Sequence, residues 1–101
     1  MMTMFIYLVM VVGTISSNAV ADEEYSADQI RHLVKKGEIL PLETILKKYR
    51  PLIQGRLLDL EVEREYGLIV YELEFLKENG EVHELVINAA NGQLIKQEID
   101  D

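Results

Sequence analysis

The sequence predicts an α+β fold: two N-terminal helices packed on one face of a four-stranded antiparallel meander sheet. Three observations carry that expectation. Apolar residues recur at helical spacing from Ile30 to Tyr49. From Leu58 to Ile87 they alternate with acidic residues, as the two faces of a strand require. Gly-containing breaks at Tyr66-Gly67, Asn79-Gly80 and Asn91-Gly92 divide that region into four strands.

Each helix carries its own end signals. Ser26-Ala27-Asp28-Gln29 fits a capping box, with a serine cap and a glutamine three residues on. A helix follows to about Lys36 with Ile30, Leu33 and Val34 on one stripe, and Gly37 ends it. The second helix is expected to begin at Pro41, whose missing N–H needs no partner in a first turn. Its stripe is Leu42, Ile45, Leu46 and Tyr49. Glu43 in the first turn and Lys47, Lys48 and Arg50 in the last suit the helix dipole, and Pro51 stops it. Gly55 marks the turn into the sheet.

Burial selects the strand registers. Leu58, Leu60 and Val62 share one face of the first strand, with Asp59, Glu61, Glu63 and Glu65 on the other. Ile69, Tyr71, Leu73 and Phe75 share a face of the second, opposite Glu72 and Glu74. From 69 through 87, odd-numbered side chains are expected inward and even-numbered ones, Val70 and Val86 included, in water. A two-residue turn at Tyr66-Gly67 pairs Val62 with Tyr71 and Leu60 with Leu73, so both apolar faces coincide. A two-residue loop at Asn79-Gly80 would put Glu84 opposite Phe75, in the core. A three-residue loop, Glu78 to Gly80, pairs Phe75 with His83, Leu73 with Leu85 and Tyr71 with Ile87, and is the expected one. The last strand runs from Leu94 to Ile99, with Ile95 and Ile99 expected inward.

Residues 1–21 read as a signal peptide and 22–101 as one domain. Phe5 to Val12 is an apolar run shorter than the ~20 residues a bilayer span needs. Ala19-Val20-Ala21 then offers a small-x-small cleavage site. No Lys or Arg precedes the run, and an uncleaved anchor is the competing reading. The expectation is a mature chain, cut near Ala21, that is periplasmic or secreted and does not span a membrane. All 18 acidic and 10 basic residues lie beyond residue 21, so that part carries the whole net charge of −8. Such a chain lacks the basic stripe that nucleic acid demands. It has no cysteine and only two histidines, which excludes a four-ligand zinc site in a monomer.

No catalytic set emerges, and no cofactor is implied. His83-Glu84-Leu85-Val86-Ile87 starts like the zinc-protease motif HExxH, but Ile87 stands where the second histidine belongs and the segment is a strand. His83 is expected beside Phe75 in the sheet, and His32 on a solvated helix surface. Ser26 and Thr44, the only hydroxyls beyond residue 21 apart from tyrosines, both have helix-end explanations.

The acidic face is the candidate site. The registers set Glu61 opposite Glu72, Asp59 opposite Glu74, and Glu74 opposite Glu84. Directly opposed like charges cost a sheet up to ~1 kcal/mol per pair. Arg31, Lys35, Lys36, Lys47, Lys48 and Arg50 sit on the helices, so the two sides of the module differ in sign. A solvated face explains this blandly; a docking face for a basic partner explains it functionally. Tyr66, at a hairpin tip where a polar residue would serve, is a candidate aromatic anchor. Strand addition at a sheet edge is a further docking mode.

Ala27 to Glu98 resembles a stand-alone exported PepSY domain. The resemblance rests on Ile39-Leu40-Pro41-Leu42-Glu43-Thr44-Ile45-Leu46, on Gly55 to Glu63 with Val70-Tyr71-Glu72-Leu73-Glu74, and on Gly80 to Ala89 ending at Gly92-Gln93-Leu94-Ile95. The family usually has Asp where Asn88 stands. The resemblance implies two helices and four strands. It also implies a non-enzymatic binding or regulatory role in the envelope toward a protein partner, including inhibition of a peptidase. A small-ligand or cation-sensing envelope domain is the alternative.

Overall fold

The computed structural model describes residues 23–100; the expected signal segment and its cleavage site lie outside them. The elements are β1 (Glu23–Glu24), α1 (Ala27–Lys35), α2 (Leu42–Tyr49), β2 (Arg56–Glu65), β3 (Leu68–Leu76), β4 (Val82–Asn88) and β5 (Leu94–Asp100). The four expected strands form an antiparallel meander, and β1 adds a short fifth strand against β2, giving the order β1-β2-β3-β4-β5.

Local chemistry sets the helix ends. Ser26 caps α1: its hydroxyl accepts the Gln29 N–H, and the Gln29 side chain accepts the Ser26 N–H. Both amides would otherwise lack helical partners. Pro41, expected inside α2, is instead its N-cap, with ψ at 149°. Its carbonyl accepts from the Thr44 and Ile45 amides, the role of a cap residue.

The turns follow the expected chemistry. Tyr66 and Gly67 both have positive φ, +54° and +73°, as a two-residue type I′ hairpin turn requires. Val62 pairs with Tyr71 and Leu60 with Leu73. The three-residue loop closes with Lys77 N–H donating to Glu81 O at 2.8 Å, and Phe75 pairs with His83.

Two bulges break the alternation, and both correct an expectation. Between Leu57 and Asp59 one extra residue enters β2, so Leu57, not Leu58, faces Phe75; Leu58 is 41% exposed. In β5 Lys96 pairs with Val86 and Leu94 with Ile87, leaving Ile95 as the extra residue. Ile99 takes the expected face, opposite His83, but both it and Ile95 are exposed, because among the described residues no helix covers the edge strand β5.

The core lies between the sheet and the helices. Tyr71, Leu73, Phe75, Leu85 and Ile87 from the sheet join Ile45 and Tyr49 of α2, with Ile39 and Ala89, in one buried cluster. The stripe of α1 (Ile30, Leu33, Val34) packs against it half-buried. Val70 and Val86, expected to meet water, are buried on the opposite face. In register they lie between Glu63 and Asn88, and between Glu72 and Lys96, whose longer side chains shield the short valines.

Polar bonds fix the helices to the sheet. Leu40 N–H donates to Ala89 O at 2.8 Å, and the Tyr71 hydroxyl donates to Leu40 O at 2.7 Å. The Tyr49 hydroxyl and Lys48 Nζ both donate to Gly92 O. Gly55, at φ +127°, lies where β2 approaches the end of β3, and a Cβ there would overlap the Leu76 carbonyl.

Gly55→Ala is therefore expected to lower the urea-unfolding free energy by more than about 2 kcal/mol. Tyr71→Phe, which strips the Leu40 carbonyl of its donor, is expected to cost about 1 kcal/mol in the same measurement.

Candidate functional site

The acidic face is a product of register. Across the sheet, one row reads Glu61, Glu72, Val86 and Lys96, and the next reads Asp59, Glu74, Glu84 and Glu98. Asp59, Glu61, Glu72, Glu74 and Glu84 together line a shallow concavity of about 140 Å³. Five of the six candidate residues thus converge. Tyr66 does not; it stands apart at the β2–β3 tip, 67% exposed. Arg31, Lys35, Lys36, Lys47, Lys48 and Arg50 are all exposed on or beside the helices. The two sides therefore carry opposite charge, as expected.

The carboxyls crowd one another most at Glu72. Burial, followed by hydrogen bonds to Glu63 and Glu65, pushes the Glu72 carboxyl up to about 9. At neutral pH this group holds its proton and donates. Glu65 is the acceptor: bonds from Glu72 and then Glu63 hold it below the ordinary carboxylate range. Glu63 is drawn down by Glu72, but its bond to Glu65 and its burial leave it raised. Burial first, then neighbouring acids, raises both Glu61 and Glu84. Glu63 and Glu65 belong to this cluster although they were not among the candidates. Their parity in β2 carried the signal; the side-chain reach along the sheet did not show in the sequence.

Glu61, Glu63 and Glu72 each bring one oxygen within 4.8 Å of the others. Calcium takes six to eight oxygens, drawn largely from irregular loops and backbone carbonyls. Three carboxylates on strands, one held protonated, fall short of that set.

The other sequence candidates have structural roles. His83 stacks on Phe75 with ring centroids 5.6 Å apart. Its Nε2 lies 3.1 Å from Glu81 Oε1, and its Nδ1 is buried without a partner. Glu84 points to the other face, so the two residues cannot share a metal. Asn88 Oδ1 accepts the Ala90 N–H at 2.9 Å, stabilising the turn into β5; an Asp there would accept the same bond. His32 is exposed, at the rim of an open groove of about 650 Å³ between α1 and α2, floored by Ile30, Val34, Leu42 and Tyr71. The Ser26 hydroxyl is engaged in its cap.

The fold and site define a small α+β domain with one acidic face. The family model PepSY, described as "Peptidase propeptide and YPEB domain", matches residues 39–98, more than half of the chain. The chain belongs to the PepSY family. Comparisons with curated proteins and with solved structures found no match. PepSY domains occur in exported proteins and in peptidase propeptides. Among the described residues, no helix is long and apolar enough to cross a membrane.

The raised Glu72 carboxyl has a consequence for stability. Between its unfolded value, about 4.3, and its folded value of about 9, the unfolded chain has released a proton that the folded one keeps. Its contribution is complete below that window and is lost as pH rises through it. Glu65, held low, acts in the opposite sense at acid pH. Glu72→Gln is expected to melt higher than the parent at pH 9, with the gap closing toward pH 5. Glu72 is half-exposed, and screening trims the gap to roughly 1 kcal/mol, or about 4–8 °C.

Proposed function

We propose that this domain is a non-enzymatic docking module of the cell envelope, periplasmic or secreted, that presents its acidic sheet face to a basic surface on a protein partner. The partner class the family points to is a peptidase, restrained by the domain. One observation carries the reading: Asp59, Glu61, Glu72, Glu74 and Glu84 line a single concavity while Arg31, Lys35, Lys36, Lys47, Lys48 and Arg50 are exposed on the helix side. Such a field steers a basic surface and rejects an acidic one. Desolvating crowded carboxylates is unfavourable, and Lys or Arg from a partner would relieve it. Tyr66, exposed at the β2–β3 tip away from the concavity, is the proposed aromatic anchor.

The test is binding of periplasmic proteins, peptidases included, to the immobilised domain. Capture is expected to weaken at least tenfold in Glu61→Lys, Glu72→Lys and Glu74→Lys combined, and to fall with added salt. Glu61→Gln and Glu74→Gln together should give an intermediate loss, with circular dichroism confirming the fold. Binding that ignores both charge and salt removes the acidic face from the function. A calcium titration separates the cation-sensing alternative: docking predicts no discrete NMR shifts at Glu61, Glu63 and Glu72, whereas sensing requires them.

A further inference from the structure

We propose that β5 pairs antiparallel with β5 of a second copy of this chain, in a register centred on Gln97, to form a weak symmetric dimer with a continuous sheet. β5 is the sheet edge beyond β4, and all seven of its residues are exposed. An uncovered edge is a template for another strand.

The backbone there faces outward at the right positions. Asn88 N–H donates toward the β5 side, to Gln93 O, whereas Ala89 N–H donates to Ile69 O of β3. Antiparallel alternation then turns the even-numbered residues of β4, and their partners Lys96, Glu98 and Asp100, toward each other. The peptide groups of Gln97 and Ile99 are left pointing to the open side.

Charge selects both the occupant and the register. Pairing about Gln97 sets Lys96 opposite Glu98 of the second copy, twice, by symmetry. Both side chains lie on the acidic face, where they already pair within one chain at 2.8 Å. The same register sets Ile95 opposite Ile99, both exposed in one copy. Sliding one strand by two residues in one direction opposes Lys96 to Lys96; sliding it by two in the other opposes Glu98 to Glu98, with Lys96 facing Asp100. Like charges directly opposed are unfavourable, and of the three registers the one about Gln97 sets unlike charges opposite without opposing like ones. The helices cover β2 to β4 and not β5, which leaves room for the second sheet. A joint of one strand pair falls below the roughly 1,200 Å² of a stable interface, so the dimer forms only at high concentration.

Sedimentation equilibrium over a concentration series tests this with the full chain. The weight-average mass is expected to rise toward twice the monomer value. Lys96→Glu and Glu98→Lys should each weaken association about tenfold, and the double variant should restore it. Gln97→Pro removes only an outward N–H, which an edge strand tolerates, and should abolish the dimer while circular dichroism stays unchanged. A mass that stays monomeric throughout overturns the proposal. So does a dimer indifferent to Gln97→Pro, or a double variant as weak as either single one.

Discussion

The peptide of Leu40 holds the two layers of this domain together. Its N–H reaches the backbone of Ala89, and its carbonyl takes the Tyr71 hydroxyl. A short link between two helices usually solvates its polar groups. Here both are spent on the sheet, one at the end of β4 and one in the middle of β3. Ala89 is in turn bonded to Ile69, so the link, β4 and β3 are tied in series. Tyr49 repeats the device one helix later by bonding Gly92. These bonds set where the lid lies, and hence which apolar side chains of the sheet find cover. Burying Ile45 and Tyr49 against that cluster supplies the driving force; the hydrogen bonds supply position.

Position matters because the sheet is wider than the lid. The lid closes over β2, β3 and β4, where Leu73, Phe75, Leu85 and Ile87 are fully buried. Among the described residues it stops short of β5, and the opposite face of the sheet has no second layer. That uncovered face carries most of the acid. A sheet with one solvated face can tolerate opposed carboxylates because water screens them and because the covered face supplies the stability. Where screening fails, around Glu72, the cluster keeps a proton instead of a charge. The charge pattern is thus confined to the side that the fold does not need.

Much of this was legible in the sequence, and the gaps have physical causes. Ser26 and Gln29 gave the start of α1, and the demand that Glu84 stay out of the core gave the loop before β4. Five of six candidate site residues could be brought together from parity alone. Leu58 and Ile95 depart from the expected alternation because a bulge interrupts the period at each, whereas Ile99 keeps its face opposite His83 and is exposed because no described helix reaches β5. Val70 and Val86 were assigned to water because parity knows faces but not the length of neighbouring side chains. β1 was missed because a two-residue strand has no period to detect. Glu63 and Glu65 were read onto the correct face, yet their convergence on Glu72 depends on side-chain conformation rather than register.

The extent of the family match agrees with this division of labour. It begins at Ile39, beside the Leu40 link, and ends at Glu98. Every described residue classed as buried, from Ile39 through Ala89 and Gly92, lies inside it. α1 lies outside, and α1 buries none of its residues. The matched segment is therefore the part that must fold as one unit: the link, α2 and the four-stranded meander. α1 and β1 lean on that unit, β1 by pairing with Arg64 and Glu63 and α1 by its half-buried stripe. Both can differ in length or sequence without disturbing the bonds at Leu40 or the packing beneath α2. An acidic face on the far side is equally separable from the core. The helix is fixed to the sheet on one face, and the charge is written on the other.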